Sequence, residues 1–265
     1  MLHAENLTLT FNPNTPIETL ALRGLSLRIP EGQFVTVIGS NGAGKSTFLN
    51  AISGEQKVDS GSIKIDGLDV TKLTTWERSL NVARVFQDPM AGTCELLTIE
   101  ENLAIAASRG RSRNLVSATN SSLRKEFQKI LKRLDLNLEN RLNDRIGLLS
   151  GGQRQAISLL MATMRPSKIL LLDEHTAALD PKTAAFVLAL TDDIVKEGHL
   201  TTMMVTHSMR QALEHGDRTI MLHEGKVVLD VSGSDRDGLT VSDLLEMFER
   251  VRGETLDDDG LLLSR

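Results

Sequence analysis

The 265-residue sequence contains no tyrosine, one tryptophan (Trp76) and one cysteine (Cys94). A single cysteine excludes a disulfide framework within the chain and is compatible with a reducing compartment. Uninterrupted apolar runs of membrane-spanning length are also missing, so we expect no transmembrane helix. The first residues lack the basic start and long apolar run of a signal peptide. If the protein works at a membrane, another chain must supply the span.

Excess charge of either sign is also small. The formal net charge is -5, which gives no support to broad nucleic-acid binding. Hydrophobic residues make up 40% and charged residues 25%, which is ordinary for a folded globular chain. The length suits one large α/β domain, or one domain with a subdomain inserted in it.

Strand and helix patterns alternate at both ends of the chain and enclose a mainly helical stretch. Alternating apolar residues before Phe11, and the run FVTVI at residues 34–38, predict strands. Residues 89–165 are predominantly helical, and strands alternate with helices again afterwards. This pattern predicts a mixed α/β core with a helical insert at about 89–165. We expect the domain to span residues 1–251, followed by a loose acidic tail over residues 252–265.

The clearest motif is G-x-x-x-x-G-K-S at residues 39–46. Its glycines allow backbone N–H groups to point at phosphate oxygens, and the helix that follows adds partial positive charge. We expect Lys45 to reach the β- and γ-phosphates and Ser46 to offer a hydroxyl ligand to Mg²⁺. A chance glycine-rich turn is disfavoured, because the loop follows a buried-type strand and opens a helix. The predicted phosphate-binding residues are Gly39, Ser40, Asn41, Gly42, Ala43, Gly44, Lys45, Ser46 and Thr47.

Two carboxylates, Asp173 and Glu174, follow the apolar run from Ile169 to Leu172. Such a strand end can place Asp173 near the metal and Glu174 near the γ-phosphate, as general base for the attacking water. Two acids after a strand are a weak signal alone, since acidic residues often end strands. Beside a phosphate-binding loop they indicate nucleotide hydrolysis.

A third motif is Leu-Ser-Gly-Gly-Gln at residues 149–153. Its simplest interpretation is a helix start with Ser150 as the N-cap residue. Adjacent glycines at a helix N-terminus also form an anion-binding concavity. One nucleotide does not need two such concavities from the same chain, so a second molecule could use this one.

These motifs together resemble those of the ATP-binding-cassette (ABC) ATPase family, over about Leu2 to Met247. The resemblance implies an α/β P-loop NTPase core of the ABC type, with an N-terminal antiparallel β subdomain and an inserted α-helical subdomain. It also implies that ATP and Mg²⁺ bind between two cassettes in a two-fold pair, most simply a homodimer. The P-loop of one cassette would face Ser150, Gly151, Gly152 and Gln153 of the other.

The resemblance assigns roles to four further residues. Gln87 matches the glutamine that senses Mg²⁺ and water and faces the membrane partner, and His207 matches the switch histidine at the γ-phosphate. Asp180 belongs to a loop that crosses to the other subunit, and Phe11 falls where an aromatic ring lies against adenine. The implied catalytic residues are Lys45, Gln87, Glu174 and His207, and the implied metal ligands are Ser46, Gln87 and Asp173.

Two positions depart from the family pattern. Ser40 stands where proline is frequent, and His175-Thr176-Ala177 replaces the more usual Pro-Thr-Ser. The loop should keep its shape, because the glycines are present. Three roles stay open for His175: shaping the following loop, contacting nucleotide indirectly, or packing. No key catalytic position is lost, so we expect a competent ATPase.

A transport function is favoured over other uses of a P-loop. The sequence has no Asn-Lys-x-Asp run for guanine, and the Leu-Ser-Gly-Gly-Gln motif has no place in GTPases or small-molecule kinases. A non-transport ABC ATPase acting on nucleic acid or the ribosome is the alternative. Such proteins carry long coiled coils, zinc hooks or two cassettes. A solvated helix face, or a surface near anionic lipid or a permease loop, explains the cluster of basic residues between Arg109 and Arg133 more simply than RNA does.

We therefore expect the ATPase subunit of a transporter with a separate membrane permease, at the cytoplasmic face of the inner membrane. A cassette without a fused membrane segment is more similar to bacterial importers, which use a substrate-binding protein, and no direct nucleic-acid contact is expected. Residues 10–15, 86–93 and 173–183 are similar to cassettes assigned to tryptophan and tyrosine import. The segment 88–97 would line the permease groove, with Met90, Leu96 and Leu97 as partly exposed apolar groups; the alternative is that they belong to the helical core.

Overall fold

A computed structural model of the protein describes residues 1–111 and 118–250. The strands are β1 (Leu2–Phe11), β2 (Thr19–Ile29), β3 (Phe34–Gly39), β4 (Ser60–Ile65), β5 (Leu68–Asp69), β6 (Val82–Val85), β7 (Ile169–Asp173), β8 (Thr201–Val205), β9 (Arg218–His223) and β10 (Lys226–Ser232). The helices are α1 (Lys45–Ser53), α2 (Thr75–Arg78), α3 (Ile99–Ala107), α4 (Ser121–Lys132), α5 (Gly151–Thr163), α6 (Pro181–Gly198), α7 (Met209–Glu214) and α8 (residues 241–250).

The first sheet is antiparallel and has the order β2-β1-β4-β5. β1 is its centre, since it pairs with β2 on one side and with β4 on the other. Leu2, Leu7 and Leu9 on β1 are buried, and Asn6 interrupts the alternation at a register shift. One face of this sheet therefore joins the core.

The second sheet has the order β10-β9-β3-β8-β7-β6. Its central strands are parallel, and β10 forms an antiparallel edge. All residues of β7 and of β8 are buried, as expected when both faces of a parallel sheet are covered. The carboxyl ends of β3, β7 and β8 meet at one edge, where β3 leads into the P-loop and β7 ends at Asp173.

Helix α1 lies between the two sheets. Phe48, Leu49 and Ile52 are buried in one apolar cluster with residues of β1 and β2 and with residues of β3, β7 and β8. A second apolar cluster lies on the other face of the parallel sheet, where α3, α4, α5 and α6 pack against it. Capping boxes begin α3 at Thr98 and α5 at Ser150.

This architecture confirms the predicted mixed α/β fold with an antiparallel sheet and a helical part. The predicted limits of the domain and of its helical insert stay predictions, and the predicted tail over residues 252–265 lies outside the described residues. Within residues 1–111 and 118–250, each helix is too short or too polar to cross a bilayer.

Arg78 closes the C-terminal end of α1. Its side chain is buried, with the residue 2% exposed, and it donates hydrogen bonds to four backbone carbonyls. Two of these carbonyls belong to the last turn of α1, Ala51 (2.6 Å) and Ile52 (2.9 Å). The other two belong to the loop that precedes α2, Thr71 (2.9 Å) and Leu73 (3.1 Å). A cation placed at unpaired carbonyls of a helix C-terminus stabilises the helix dipole.

We predict that Arg78→Met lowers the free energy of unfolding by about 3 kcal/mol, because buried carbonyls lose a charged donor. Urea unfolding followed by circular dichroism measures the change. Arg28→Met is the matched control: Arg28 pairs at 3.4 Å with Glu5, and the two side chains are 72% and 44% exposed. An exposed pair contributes about 0–1 kcal/mol. Equal effects of the two substitutions would contradict a capping role for Arg78.

Candidate functional site

The P-loop connects β3 to α1 and encloses the Lys45 side chain. Lys45 is 5% exposed, and its Nζ donates to the carbonyl oxygens of Gly39 (2.8 Å) and Ser40 (3.0 Å). Burial lowers the pKa of Lys45, while the carboxylates of Glu174 and Asp173 act in the opposite direction. The predicted phosphate-binding lysine and the two predicted acids therefore share one site.

Two glycines of the loop are required by its backbone. Gly39 has φ +148°, and a Cβ there would lie 2.2 Å from the carbonyl oxygen of Leu222. Gly44 has φ +96°, and a Cβ would lie 2.7 Å from the carbonyl oxygen of Ala21. Other residues would be strained at these angles and would collide with neighbouring backbone. The loop also keeps an internal bond from Ala43 N to the carbonyl of Ser40 (3.2 Å), at the position where the family favours proline.

Asp173 is held between residues from two other elements. One carboxylate oxygen, Oδ1, lies 3.5 Å from Ser46 Oγ, the hydroxyl predicted as a metal ligand. The other oxygen, Oδ2, accepts a hydrogen bond from Arg84 Nη2 at 2.6 Å. Both charged side chains are about nine-tenths buried, with 10% of Arg84 and 11% of Asp173 exposed. Sequence reasoning missed Arg84, although a cation between the apolar residues Ala83 and Val85 of a strand was a signal.

Glu174 and His207 are brought into direct contact. Glu174 Oε1 lies 2.6 Å from His207 Nε2, and the Glu174 side chain is 9% exposed whereas that of His207 is 47% exposed. Glu174 has φ +45°, a left-handed conformation that costs of order 1 kcal/mol in a non-glycine residue and recurs at functional sites. Its backbone N–H is bonded to the Val205 carbonyl (3.0 Å), which holds this conformation at the sheet edge.

The Leu-Ser-Gly-Gly-Gln motif (residues 149–153, the signature motif) lies against the start of α6 of the same chain. Ser150 is exposed and caps α5 by accepting from Gln153 N at 3.3 Å. A Cβ on Gly152 would lie 2.0 Å from Thr183 Cγ2, whereas a Cβ on Gly151 would lie 3.5 Å from Leu179 Cδ2. Ser150 and Gly151 are therefore exposed at the N-terminus of α5, whereas Gly152 is buried and the N–H of Gln153 is capped by Ser150.

Three further predicted residues lie at or near the ends of secondary-structure elements. Asp180 is exposed and caps α6, with Oδ1 accepting from Thr183 N at 3.1 Å; hydrogen bonds from Thr183 lower the pKa of Asp180. Gln87 is exposed two residues after the end of β6. Phe11 ends β1 and is half-buried against the core.

His175 points into the protein. It is 2% exposed, and its Nε2 lies 3.0 Å from Thr191 Oγ1 on α6. The Thr191 hydroxyl donates to the Val187 carbonyl (2.8 Å), so the Nε2–H of His175 is the donor in that pair. Burial lowers the pKa of His175 to about 4, so the ring is neutral near pH 7. Of the three roles left open by the sequence, this favours packing between Glu174 and α6.

Helix α5 also contacts the segment that carries Gln87. Gln155 is fully buried, and its Nε2 donates to the Phe86 carbonyl at 3.2 Å. Arg154 donates to the Gly147 carbonyl (2.9 Å) and contacts the sulfur of Met90. Sequence reasoning missed both residues, although they directly follow the signature motif.

An apolar surface flanks this segment. Leu96 and Leu148 are 77% and 73% exposed. Backbone bonds from Gly147 N to Glu95 O (3.2 Å) and from Ile146 N to Leu97 O (3.0 Å) bring their loops together. We call Leu96 and Leu148 the apolar patch. Of the three apolar groups predicted for a permease groove, Leu96 is widely exposed and Met90 and Leu97 are half-buried.

The donor set fits a magnesium ion bound together with nucleotide. Among the described residues, His, Cys, Asp and Glu form no cluster of three that could hold a metal unaided. Mg²⁺ is commonly bound through one or two protein groups plus substrate phosphates. One carboxylate oxygen of Asp173 near the Ser46 hydroxyl, beside a P-loop, matches that requirement.

Comparison with known proteins places the chain in a class. Residues 22–177 match the family model described as ABC transporter. The chain belongs to this family, as an ATP-binding subunit or domain of the transporter type. The resemblance inferred from the sequence is thereby confirmed.

Two curated relatives are similar to the chain over most of its length. A tyrosine transport ATP-binding protein of Clostridioides difficile (strain R20291) is 47% identical over 254 residues, covering 94% of this chain and 99% of that protein. An energy-coupling factor transporter ATP-binding protein of Clostridium perfringens (strain 13 / Type A) is 33% identical over 97% of this chain and 84% of its own length.

Solved structures show the same fold. The dimeric, post-hydrolysis state of an ATP-binding cassette bound to ADP and Pi is 31% identical, with a TM-score of 0.75, covering 88% of this chain and 98% of that one. The ADP conformation of another ABC transporter cassette is 25% identical, with a TM-score of 0.77, covering 94% and 98%.

The signature glycines generate a steric prediction. Gly152→Ala should lower the free energy of unfolding by about 1–2 kcal/mol, because the new methyl group overlaps Thr183 Cγ2. Thr183→Ser removes that carbon and leaves the backbone N–H that Asp180 caps, so it should restore stability to Gly152→Ala. Gly151→Ala is the control, since its methyl group would meet ordinary contact distances. Thermal unfolding of these three variants (Gly152→Ala, Gly152→Ala with Thr183→Ser, and Gly151→Ala) measures the change. Failure of Thr183→Ser to rescue Gly152→Ala would show that the overlap is not the cause.

Proposed function

We propose that the chain is the ATP-hydrolysing subunit of an ABC transporter, working as a translocase with a separate membrane permease. The observation that carries the proposal is the shared site of Lys45, Asp173, Glu174 and His207 at the carboxyl edge of the parallel sheet. Membership of the ABC transporter family supports ATP as the nucleotide. Within the proposal, the functional domain spans residues 1–251 and includes the helical insert at 89–165.

In the proposed reaction, the P-loop residues 39–47 hold the phosphates of ATP, and Lys45 neutralises charge on the β- and γ-phosphates. Mg²⁺, when bound with ATP near Ser46, Asp173 and Gln87, supplies charge stabilisation for the transferred phosphoryl group. Glu174 would take a proton from the attacking water, and His207, whose Nε2 lies 2.6 Å from Glu174 Oε1, would contact the γ-phosphate. Phe11 would lie against the adenine ring.

The proposed catalytic unit contains two cassettes. Ser150, Gly151, Gly152 and Gln153 lie at the N-terminus of α5, where Ser150 and Gly151 are exposed, which suits a phosphate presented by a second copy. Asp180 at the start of α6 lies beside this surface. A relative solved as a dimer with ADP and Pi supports this arrangement. ATP would then close the homodimer, and hydrolysis would allow it to open.

The apolar patch of Leu96 and Leu148 is the proposed contact with the permease. Its position next to the segment after Gln87 would connect the nucleotide site to the membrane partner and keep the chain at the cytoplasmic face of the inner membrane. The relative named for tyrosine transport supports amino-acid transport. The proposed system is an importer that works with a substrate-binding protein. The cassette itself does not contact the solute, so its residues carry no solute specificity.

The alternative of a nucleic-acid or ribosome partner has less support. Several basic residues of the helical part form hydrogen bonds or ion pairs with other residues of the same chain. Arg109 donates to the carbonyls of Ala162 (3.3 Å) and Arg165 (2.6 Å), Arg124 pairs with Glu100, and Arg133 pairs with Glu197 at 2.5 Å. Arg113, which belongs to the cluster of basic residues between Arg109 and Arg133, lies outside the described residues.

We predict that Glu174→Gln lowers ATP turnover by about 10²–10⁴-fold while nucleotide binding is kept, because the amide cannot accept the proton of the attacking water. ATP should then hold the variant as a stable dimer, measured by size-exclusion chromatography with light scattering. Lys45→Ala is the control that should neither bind ATP nor dimerise. Glu174→Gln turning over at the wild-type rate would remove Glu174 from the mechanism.

Transport function is tested by purifying the tagged protein from detergent-solubilised native membranes and identifying bound chains by mass spectrometry. We expect a polytopic membrane protein in stoichiometric amount. Replacing Leu96 and Leu148 together by Ser should reduce its recovery, whereas Leu68→Ser, at an exposed leucine of β5, should not. Recovery of ribosomal or DNA-repair components without a membrane protein would favour the alternative.

A further inference from the structure

Arg84 directly contacts Asp173, the predicted metal ligand, although no function has been assigned to Arg84. Its Nη2 donates to Asp173 Oδ2 at 2.6 Å, while Nη1 lies 2.7 Å from Asn50 Oδ1 and 2.8 Å from Glu55 Oε1. The guanidinium carbon also lies 4.8 Å from the centre of the Phe86 ring. Four residues from three chain segments therefore fix the position of this group.

The sheet register explains why these residues meet. β6 and β7 are parallel neighbours, with Arg84 opposite Leu171. Val82 of β6, together with Ile169 and Leu171 of β7, belongs to the apolar cluster around α1. Because side chains alternate along a strand, Arg84 and Asp173 project toward that same face, where α1 supplies Asn50.

The two oxygens of Asp173 are used differently. Arg84 occupies Oδ2, and Oδ1 is directed to the side of Ser46 Oγ, 3.5 Å away. Partners behind a ligating carboxylate commonly orient it, and their loss costs about 10–100-fold in metal affinity or activity. We infer that Arg84 is a positioning residue that holds Asp173 so that Oδ1 faces the Mg²⁺ that accompanies ATP. This inference rests on the proposed function of the site.

Electrostatic repulsion alone predicts the opposite effect of Arg84 on Mg²⁺ binding. A guanidinium repels a nearby divalent cation, so removing Arg84 would strengthen Mg²⁺ binding if repulsion were its main effect. However, Arg84 is flanked by two carboxylates, Asp173 and Glu55, which offset its charge. Asn50, Glu55 and Phe86 also anchor it. The direction of the change in Mg²⁺ dependence therefore distinguishes orientation from repulsion.

The test measures binding and does not depend on turnover. The affinity of the purified protein for an ATP analogue with a fluorescent ribose substituent is measured in EDTA and then across a Mg²⁺ titration. For Arg84→Met we expect unchanged affinity in EDTA and a Mg²⁺ midpoint raised by about 10–100-fold. Arg84→Lys should give an intermediate midpoint, because an ammonium supplies charge but no planar fork of donors.

Matched variants separate positioning from a general loss of stability. Arg133→Met removes an exposed arginine paired with Glu197 and should leave the Mg²⁺ midpoint unchanged. In an Asp173→Asn background, Arg84→Met should add no further shift, because Arg84 acts through the Asp173 carboxylate. Melting temperatures of all variants are measured alongside.

Three results would overturn the inference. An unchanged or lowered Mg²⁺ midpoint in Arg84→Met would exclude a positioning role, and the lowered midpoint would identify repulsion. A midpoint that shifts equally in the Asp173→Asn background would show that Arg84 does not act through Asp173. Parallel losses of melting temperature and of affinity in EDTA would show a structural role. Failure of the wild-type protein to bind the ATP analogue at all would instead contradict the proposed function.

Discussion

Helix α1 has opposite electrostatic requirements at its two ends, and the nucleotide site depends on both being met. At its N-terminus, the free N–H groups and partial positive charge of the helix suit phosphate. At its C-terminus, the Arg78 guanidinium donates to the carbonyls of Ala51 and Ile52. Phe48 and Leu49 between them are buried between the two sheets. Because the helix is fixed along its length, Lys45 has a defined position opposite the acids that end β7.

Features with local causes could be predicted from the sequence. The P-loop, the two acids after a buried strand and the capped start of α5 each follow from a short run of residues. The structure brings Lys45, Asp173, Glu174 and His207 together, because consecutive parallel strands place their carboxyl ends at one edge. The mixed α/β fold followed from the same alternation of strands and helices.

Contacts between distant residues could not be predicted in the same way. Arg84 and Asp173 are 89 positions apart, and their pairing depends on strand order and on which face each side chain takes. In the sequence, Arg78 is an ordinary polar residue of a short helix. Its capping role follows only from the position of α1, whose last carbonyls it binds. His175 was equally ambiguous, since only the packing of α6 buries it against Thr191. In each case the sequence shows the charged or polar residue but does not indicate which distant residue is its partner.

Helix α5 gives the proposed dimer surface a direct structural connection to the apolar patch. Ser150 begins the helix at the surface proposed to receive a second copy, and Gln155 one turn later holds the Phe86 carbonyl. Arg154 holds the carbonyl of Gly147, which directly precedes Leu148. A helix does not compress appreciably along its hydrogen-bonded axis, and buried contacts favour discrete arrangements over gradual deformation. In the proposed dimer, a displacement of Ser150 on closure would therefore move both the segment before Gln87 and the patch, and α5 would couple nucleotide binding to the proposed membrane partner.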